Sequence, residues 1–168
     1  MPGQKFLQHN GSGGMAEVVA VQVGGAPSAD KIPSLDGNGR LDASMMPAGI
    51  GADTAVIQAS ENLAAGDLVN IHNSGGARVR KADAASAGKE AHGFVLAGVT
   101  SGANATVYFE GNNGQVTGLT PGPVYLSTTA GLATNTAPSA SGNVVQPVGM
   151  ATAATSLNFE KSPAITLA

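Results

Sequence analysis

The sequence predicts an all-β protein, a small β-sandwich or barrel of about eight to ten short strands with an extended N-terminal arm. Three observations carry this reading. No segment of about ten residues or more sustains a helical apolar period. Short apolar or alternating runs recur along the chain, separated by clusters of Gly, Asn, Ser and Pro. Glycine accounts for 24 of the 168 residues and proline for nine, a supply of turn formers that suits many brief strands.

Residues 1–53 read as the arm, with one or two hairpins. Lys5–His9 is a short strand candidate. Glu17–Val23 is the stronger one, placing Val19, Val21 and Val23 on one face because side chains alternate along a strand. Ala26–Pro33 reads as extended chain, and Asp36-Gly-Asn-Gly-Arg as a tight turn between Leu35 and Leu41. Ala43–Gly51, with Met45-Met46-Pro47, reads as an exposed crossing segment.

Residues 54–168 form the predicted body. Its candidate strands are Ala55–Ala59, Asp67–His72, Ala77–Lys81, Gly93–Val99, Thr106–Glu110, Val124–Ser127, Asn143–Met150 and Ser156–Glu160. Turn signals separate them at Asn73-Ser-Gly-Gly, Ser101-Gly-Ala-Asn, Gly111-Asn-Asn-Gly, Thr120-Pro-Gly-Pro and Ser139-Ala-Ser-Gly. Asp83–Lys89 has room for one helical turn at most. Gly93–Val99 is apolar on both faces, the mark of a doubly covered strand. Alternation nominates Val69, Ile71, Phe94, Leu96, Val107, Phe109, Leu126, Val145 and Phe159 as the core. With four Phe, two Tyr and no Trp, that core is thin in apolar area, so neighbouring subunits are expected to supply part of the stability.

Composition narrows function mainly by exclusion. The formal net charge is −3 with eight basic residues, which speaks against a phosphate backbone as partner. The only basic cluster is Arg78, Arg80 and Lys81, read as a solvated strand face. There are no cysteines, hence no disulfide, thiolate ligand or thiol nucleophile. Met1–Gly14 lacks the apolar core of a secretion signal, and no run nears the roughly 20 apolar residues of a membrane-spanning helix. The expectation is a chain made in the cytoplasm with no membrane partner.

The reactive residues form no recognisable constellation. His9, His72 and His92 show no paired metal-ligand spacing and read as surface or packing residues. Asp36, Asn38 and Asp42 begin like a calcium loop, but Arg40 holds the fifth position and Pro47 the twelfth, where a bidentate glutamate belongs; a β-turn accounts for them better. The glycine pairs at 13–14 and 24–25 precede neither a helix nor a Lys-Ser/Thr. Asp67, Glu110 and Glu160 lie on or beside strands and are expected to face solvent rather than to pair across a cleft. Tyr108 and Tyr125 alone could offer a sugar platform and read as strand-packing residues. The sequence therefore predicts a protein that is not an enzyme, with no catalytic, cofactor-binding or metal-binding residues and no cofactor.

Several stretches resemble a known family. Lys31-Ile-Pro-Ser-Leu-Asp-Gly-Asn-Gly-Arg-Leu-Asp-Ala-Ser-Met-Met-Pro, Ala65-Gly-Asp-Leu-Val-Asn-Ile and Val79-Arg-Lys-Ala-Asp-Ala look like the decoration, or cement, proteins of tailed-bacteriophage heads. So do His92-Gly-Phe-Val-Leu-Ala-Gly-Val, Ala105-Thr-Val-Tyr-Phe-Glu-Gly and Tyr125-Leu-Ser-Thr-Thr-Ala-Gly. The resemblance implies a non-enzymatic virion structural protein on the outer surface of the capsid. It implies binding to the major capsid protein, bridging of capsomers, and self-association as a homotrimer or other small homo-oligomer. The alternative reading is a tail- or fibre-associated virion protein with host-surface or glycan binding.

Overall fold

The structure is a computed structural model that describes residues 4–24, 28, 31–37, 39–46 and 53–168. The chain divides into two units, residues 1–51 and 52–168. Asn38, Pro47 and much of the expected extended and crossing segments lie outside the described residues.

In the first unit β1 (Lys5–His9) pairs antiparallel with β2 (Met15–Val19), Lys5 opposite Val19 and His9 opposite Met15. The second strand thus starts two residues earlier than the valine alternation suggested, and it ends at Val19. The reason lies in the turn: Asn10 Oδ1 accepts from the N–H groups of Ser12 and Gly14, so an asparagine-centred loop sets the register. Beyond β2 a parallel bridge joins Val21 to Pro33. Asp36 closes the expected tight turn: its carbonyl accepts from Gly39 N–H, its carboxylate from Arg40 N–H at 2.9 Å, and its own N–H donates to the Arg40 carbonyl. A short 3-10 turn spans Ala43–Met45.

The second unit is all-β. Five strands close a barrel in the order β3-β5-β4-β6-β7, formed by β3 (Thr54–Ala59), β4 (Leu68–Asn73), β5 (Ala77–Lys81), β6 (Gly93–Phe94) and β7 (Asn104–Tyr108). β3 and β5 run parallel; every other neighbouring pair in the barrel is antiparallel. A five-stranded sheet follows in the order β10-β9-β12-β13-β8, from β8 (Gly111–Asn113), β9 (Gly122–Leu126), β10 (Ala133–Thr134), β12 (Pro147–Ala153) and β13 (Ser156–Phe159). β11 (Val144–Val145) and β14 (Ile165–Thr166) make a separate two-stranded ladder.

Two apolar clusters result. Ala59, Leu63, Val69, Val79, Val95, Ala105 and Val107 fill the barrel. A five-stranded barrel has a narrow bore, so Ala and Val fit where aromatic rings would not; the alanine-rich, aromatic-poor composition becomes intelligible here. The second cluster, centred on Leu68, Phe94, Leu126, Val148, Leu157 and Phe159, lies between the outside of the barrel and the sheet. Neighbouring residues feed opposite clusters: Leu68 and Val69 on β4, Phe94 and Val95 at β6. The doubly covered character read from Gly93–Val99 is therefore present, although ladder pairing covers only Gly93 and Phe94. Gly93 permits the tight approach of β6 to β7, since a Cβ there would lie 2.5 Å from the Tyr108 carbonyl oxygen.

Some expectations need correction. Of the nominated core, Val69, Phe94, Val107, Leu126 and Phe159 are buried, whereas Ile71, Leu96, Phe109 and Val145 are half-buried. Val144, not Val145, enters the core. The expected continuous strand Asn143–Met150 is interrupted at Gln146, whose carbonyl still accepts from Leu126 N–H while its buried side-chain amide exchanges hydrogen bonds with the Ala91 N–H and carbonyl. The chain changes sheet at that point. Of Gly111-Asn-Asn-Gly, expected as a turn, the first three residues form strand β8 and the turn begins at Gly114. Asn113 is fully buried there, donating to the Gly66 carbonyl and accepting from Gln115 N–H.

Candidate functional site

The residues singled out for their chemistry are dispersed. His9 is exposed and accepts from Gly11 N–H at Nδ1. His92 substitutes for a ladder partner: its N–H donates to the Val69 carbonyl, and its ring Nδ1 accepts from Ile71 N–H at 2.9 Å. The imidazole thereby extends the pairing of β6 with β4 beyond the backbone. Arg80, expected on a solvated face, instead spans from Asn70 Oδ1 to the Gly88 carbonyl and braces the 83–89 loop. That loop is bends and a turn with no helix, closed by Asp83, which accepts from Ala85 N–H and pairs with Lys89 at 2.9 Å.

Burial and the nearby Lys161 charge hold the His92 pKa below the usual histidine value, with Glu90 opposing them. The unfolded chain therefore takes up this proton more readily than the folded one. The resulting stabilisation is complete above about pH 6.5 and is lost as pH falls through the lowered folded-state value. Urea midpoints for the wild type should drop between pH 7.5 and 5.5, and His92→Gln should flatten that slope. An unchanged slope in the variant would place the pH response elsewhere.

Folding brings together one nucleophile and one base that the sequence had not associated. Ser60 Oγ lies 2.9 Å from His72 Nε2 and 3.1 Å from the Val79 carbonyl. The donor and acceptor roles of the pair follow the ring's tautomer: when the hydroxyl donates to the Val79 carbonyl, which can only accept, Nε2–H is the donor to Oγ. In that arrangement the ring cannot take the serine proton. Among the described residues no carboxylate is hydrogen-bonded to His72, so the orienting third group of a hydrolytic triad is missing. The pair fastens the end of β3 to β4 and β5.

Asp67, expected to face solvent, is instead 4% exposed. It accepts from Ala64 N–H at 2.8 Å and faces Lys81 at 3.5 Å. Glu110 and Glu160 do reach solvent, and the fold places both on one cleft of about 510 Å³ together with Asp53. Aromatic side chains form its floor. Phe94 stacks on Tyr108 with ring centroids 5.4 Å apart and meets Phe159 edge-on at 5.5 Å. Tyr108 is half-buried and borders the cleft, whereas Tyr125 lies on β9 away from it. Asn112 and Asn158 complete its polar rim. Sequence reading missed this assembly because its members come from β6, β7, β8, β13 and the residues flanking them and β3, with Asp53 and Glu160 more than a hundred positions apart.

Among the described residues no group of three or more His, Asp or Glu is placed to hold a metal ion, and no helix is long and apolar enough to cross a membrane. No protein-family model, curated protein or solved structure matches the chain.

Proposed function

We propose that this chain is a non-enzymatic virion structural protein, a decoration protein that binds the major capsid protein and bridges capsomers. The observation that supports the reading most is the character of the first unit. No large apolar residue described in it is buried, and Leu7, Met15, Val19, Val23, Ile32, Leu35, Leu41 and Met46 are all exposed. The core begins only at Ala59. A two-stranded hairpin without a core is marginal in water, so such a segment gains its order by covering apolar surface on another protein. Docking repeated over many lattice positions would then supply avidity without any single large contact. The same surface serves self-association into a trimer or other small oligomer.

Image reconstruction of purified particles tests this. Hundreds of ordered copies between capsomers are expected, with residues 1–51 in contact with the shell. A few copies confined to the tail would favour a tail- or fibre-associated protein. In the same system, a chain lacking residues 1–51 is expected to unfold cooperatively near the wild-type temperature yet leave capsids undecorated. Full occupancy by the truncated chain would overturn the attachment role of the first unit.

A further inference from the structure

We propose that the cleft between β7 and β8 is a docking groove for an extended segment of a partner protein bearing lysine or arginine. The second unit commits most of its acids to holding its own backbone. Glu61 accepts from Lys81 N–H, Asp67 from Ala64 N–H, Asp83 from Ala85 N–H and Glu90 from Gly88 N–H. Each of these carboxylates therefore has a structural task. The remaining three, Asp53, Glu110 and Glu160, make no side-chain hydrogen bond or ion pair with any described residue, and all three line this one cleft. Among the described residues no lysine, arginine or histidine lines it with them. Charge segregated in this way into a concavity attracts a cation from outside the chain.

The form of the cation follows from the rest of the cleft. The three carboxylates do not gather into a metal-holding group, so the negative charge is spread along the groove rather than focused on a point. The wall combines Leu96 with the Tyr108 ring, and the Tyr108 hydroxyl has no hydrogen-bond partner among the described residues. An aliphatic stem packs on such a wall while its cationic head reaches a carboxylate, and an aromatic face adds cation–π attraction. One side of the groove is β8, the edge strand of the five-stranded sheet, which contributes Gly111 and Asn112. An edge strand accepts an extended chain by strand addition, with alternate side chains directed into the neighbouring groove. This inference stands independently of the virion reading, since it concerns a different unit of the chain.

The test uses the full chain and a fluorescein-labelled octapeptide of alternating lysine and serine, read by fluorescence anisotropy at low salt. The wild type is expected to bind, and E110Q/E160Q to bind about tenfold more weakly or worse. E17Q/E61Q, which removes the same charge elsewhere, should stay within about twofold of the wild type. Equal weakening of both variants, or no binding at about 1 mM peptide, would overturn the proposal. Amide shifts in 1H–15N spectra give a second readout that does not rely on the variants. Peptide-induced shifts should centre on Tyr108, Gly111, Asn112 and Asn158. Shifts centred elsewhere, or shifts at these amides with a neutral oligosaccharide and none with the peptide, would also overturn it.

Discussion

Phe94→Ala should destabilise the second unit by about 3–5 kcal/mol, measured as a fall in the urea midpoint at unchanged slope. Phe94 is 1% exposed and is the ring shared by both aromatic contacts of the fold, with Tyr108 and with Phe159. It also sits where the barrel wall meets the sheet, so truncation opens a cavity that neither layer can close alone. Val56→Ala is the matched control: Val56 lies on β3 of the same barrel but is 68% exposed, and its loss should stay within about 0.5 kcal/mol. Comparable losses for the two variants would mean that the Phe94 side of the barrel is not packed as described.

Gly149→Ala should be the second large effect, about 3 kcal/mol or failure to fold, because two costs act together. Gly149 sits in β12 at φ +130°, a conformation that favours glycine, beside an irregularity in its pairing with β9. A Cβ there would collide with the Asn158 carbonyl oxygen of β13, which is backbone and cannot rotate away. Gly142→Ala separates the two costs. Gly142 also has positive φ, at +83°, but a Cβ there meets nothing within 4 Å, so only the conformational strain of about 1 kcal/mol remains. Equal thermal shifts for the two variants would show that the close approach of β12 and β13 contributes nothing.

Much of the fold was legible because strand alternation is a local property. Thr106–Glu110, Ala77–Lys81 and Ser156–Glu160 each overlap a strand of the structure, with Val107, Val79 and Leu157 directed inward. Reading failed where a polar side chain does the work of backbone. Gln146 mimics a ladder partner for Ala91, His92 for Ile71, and Asn113 reaches the Gly66 carbonyl. None of these contacts has a local signature, because each partner lies at least twenty positions away in sequence. Asn113, of a residue type that announces turns, serves here as a buried connector.

The candidate cleft was legible only in its parts. Glu110 and Glu160 could be recognised as solvent-facing from strand alternation, since each follows an inward or half-buried aromatic residue. Their meeting with Asp53 on one groove depends on β8 pairing with β13 while β7 pairs with β3. By contrast Asp67, which follows Gly66 and precedes β4, is drawn into the interior by the Ala64 N–H and Lys81. Composition and alternation determined that this chain is all-β, built from short strands and poor in reactive groups, because those properties depend on residue type and spacing alone. The closure of a five-stranded barrel, the division of the core into two clusters and the gathering of three unpaired carboxylates were decided by tertiary structure. Strand pairing joins residues far apart in the chain, and the choice among pairings depends on the summed packing of both layers, which no single segment encodes.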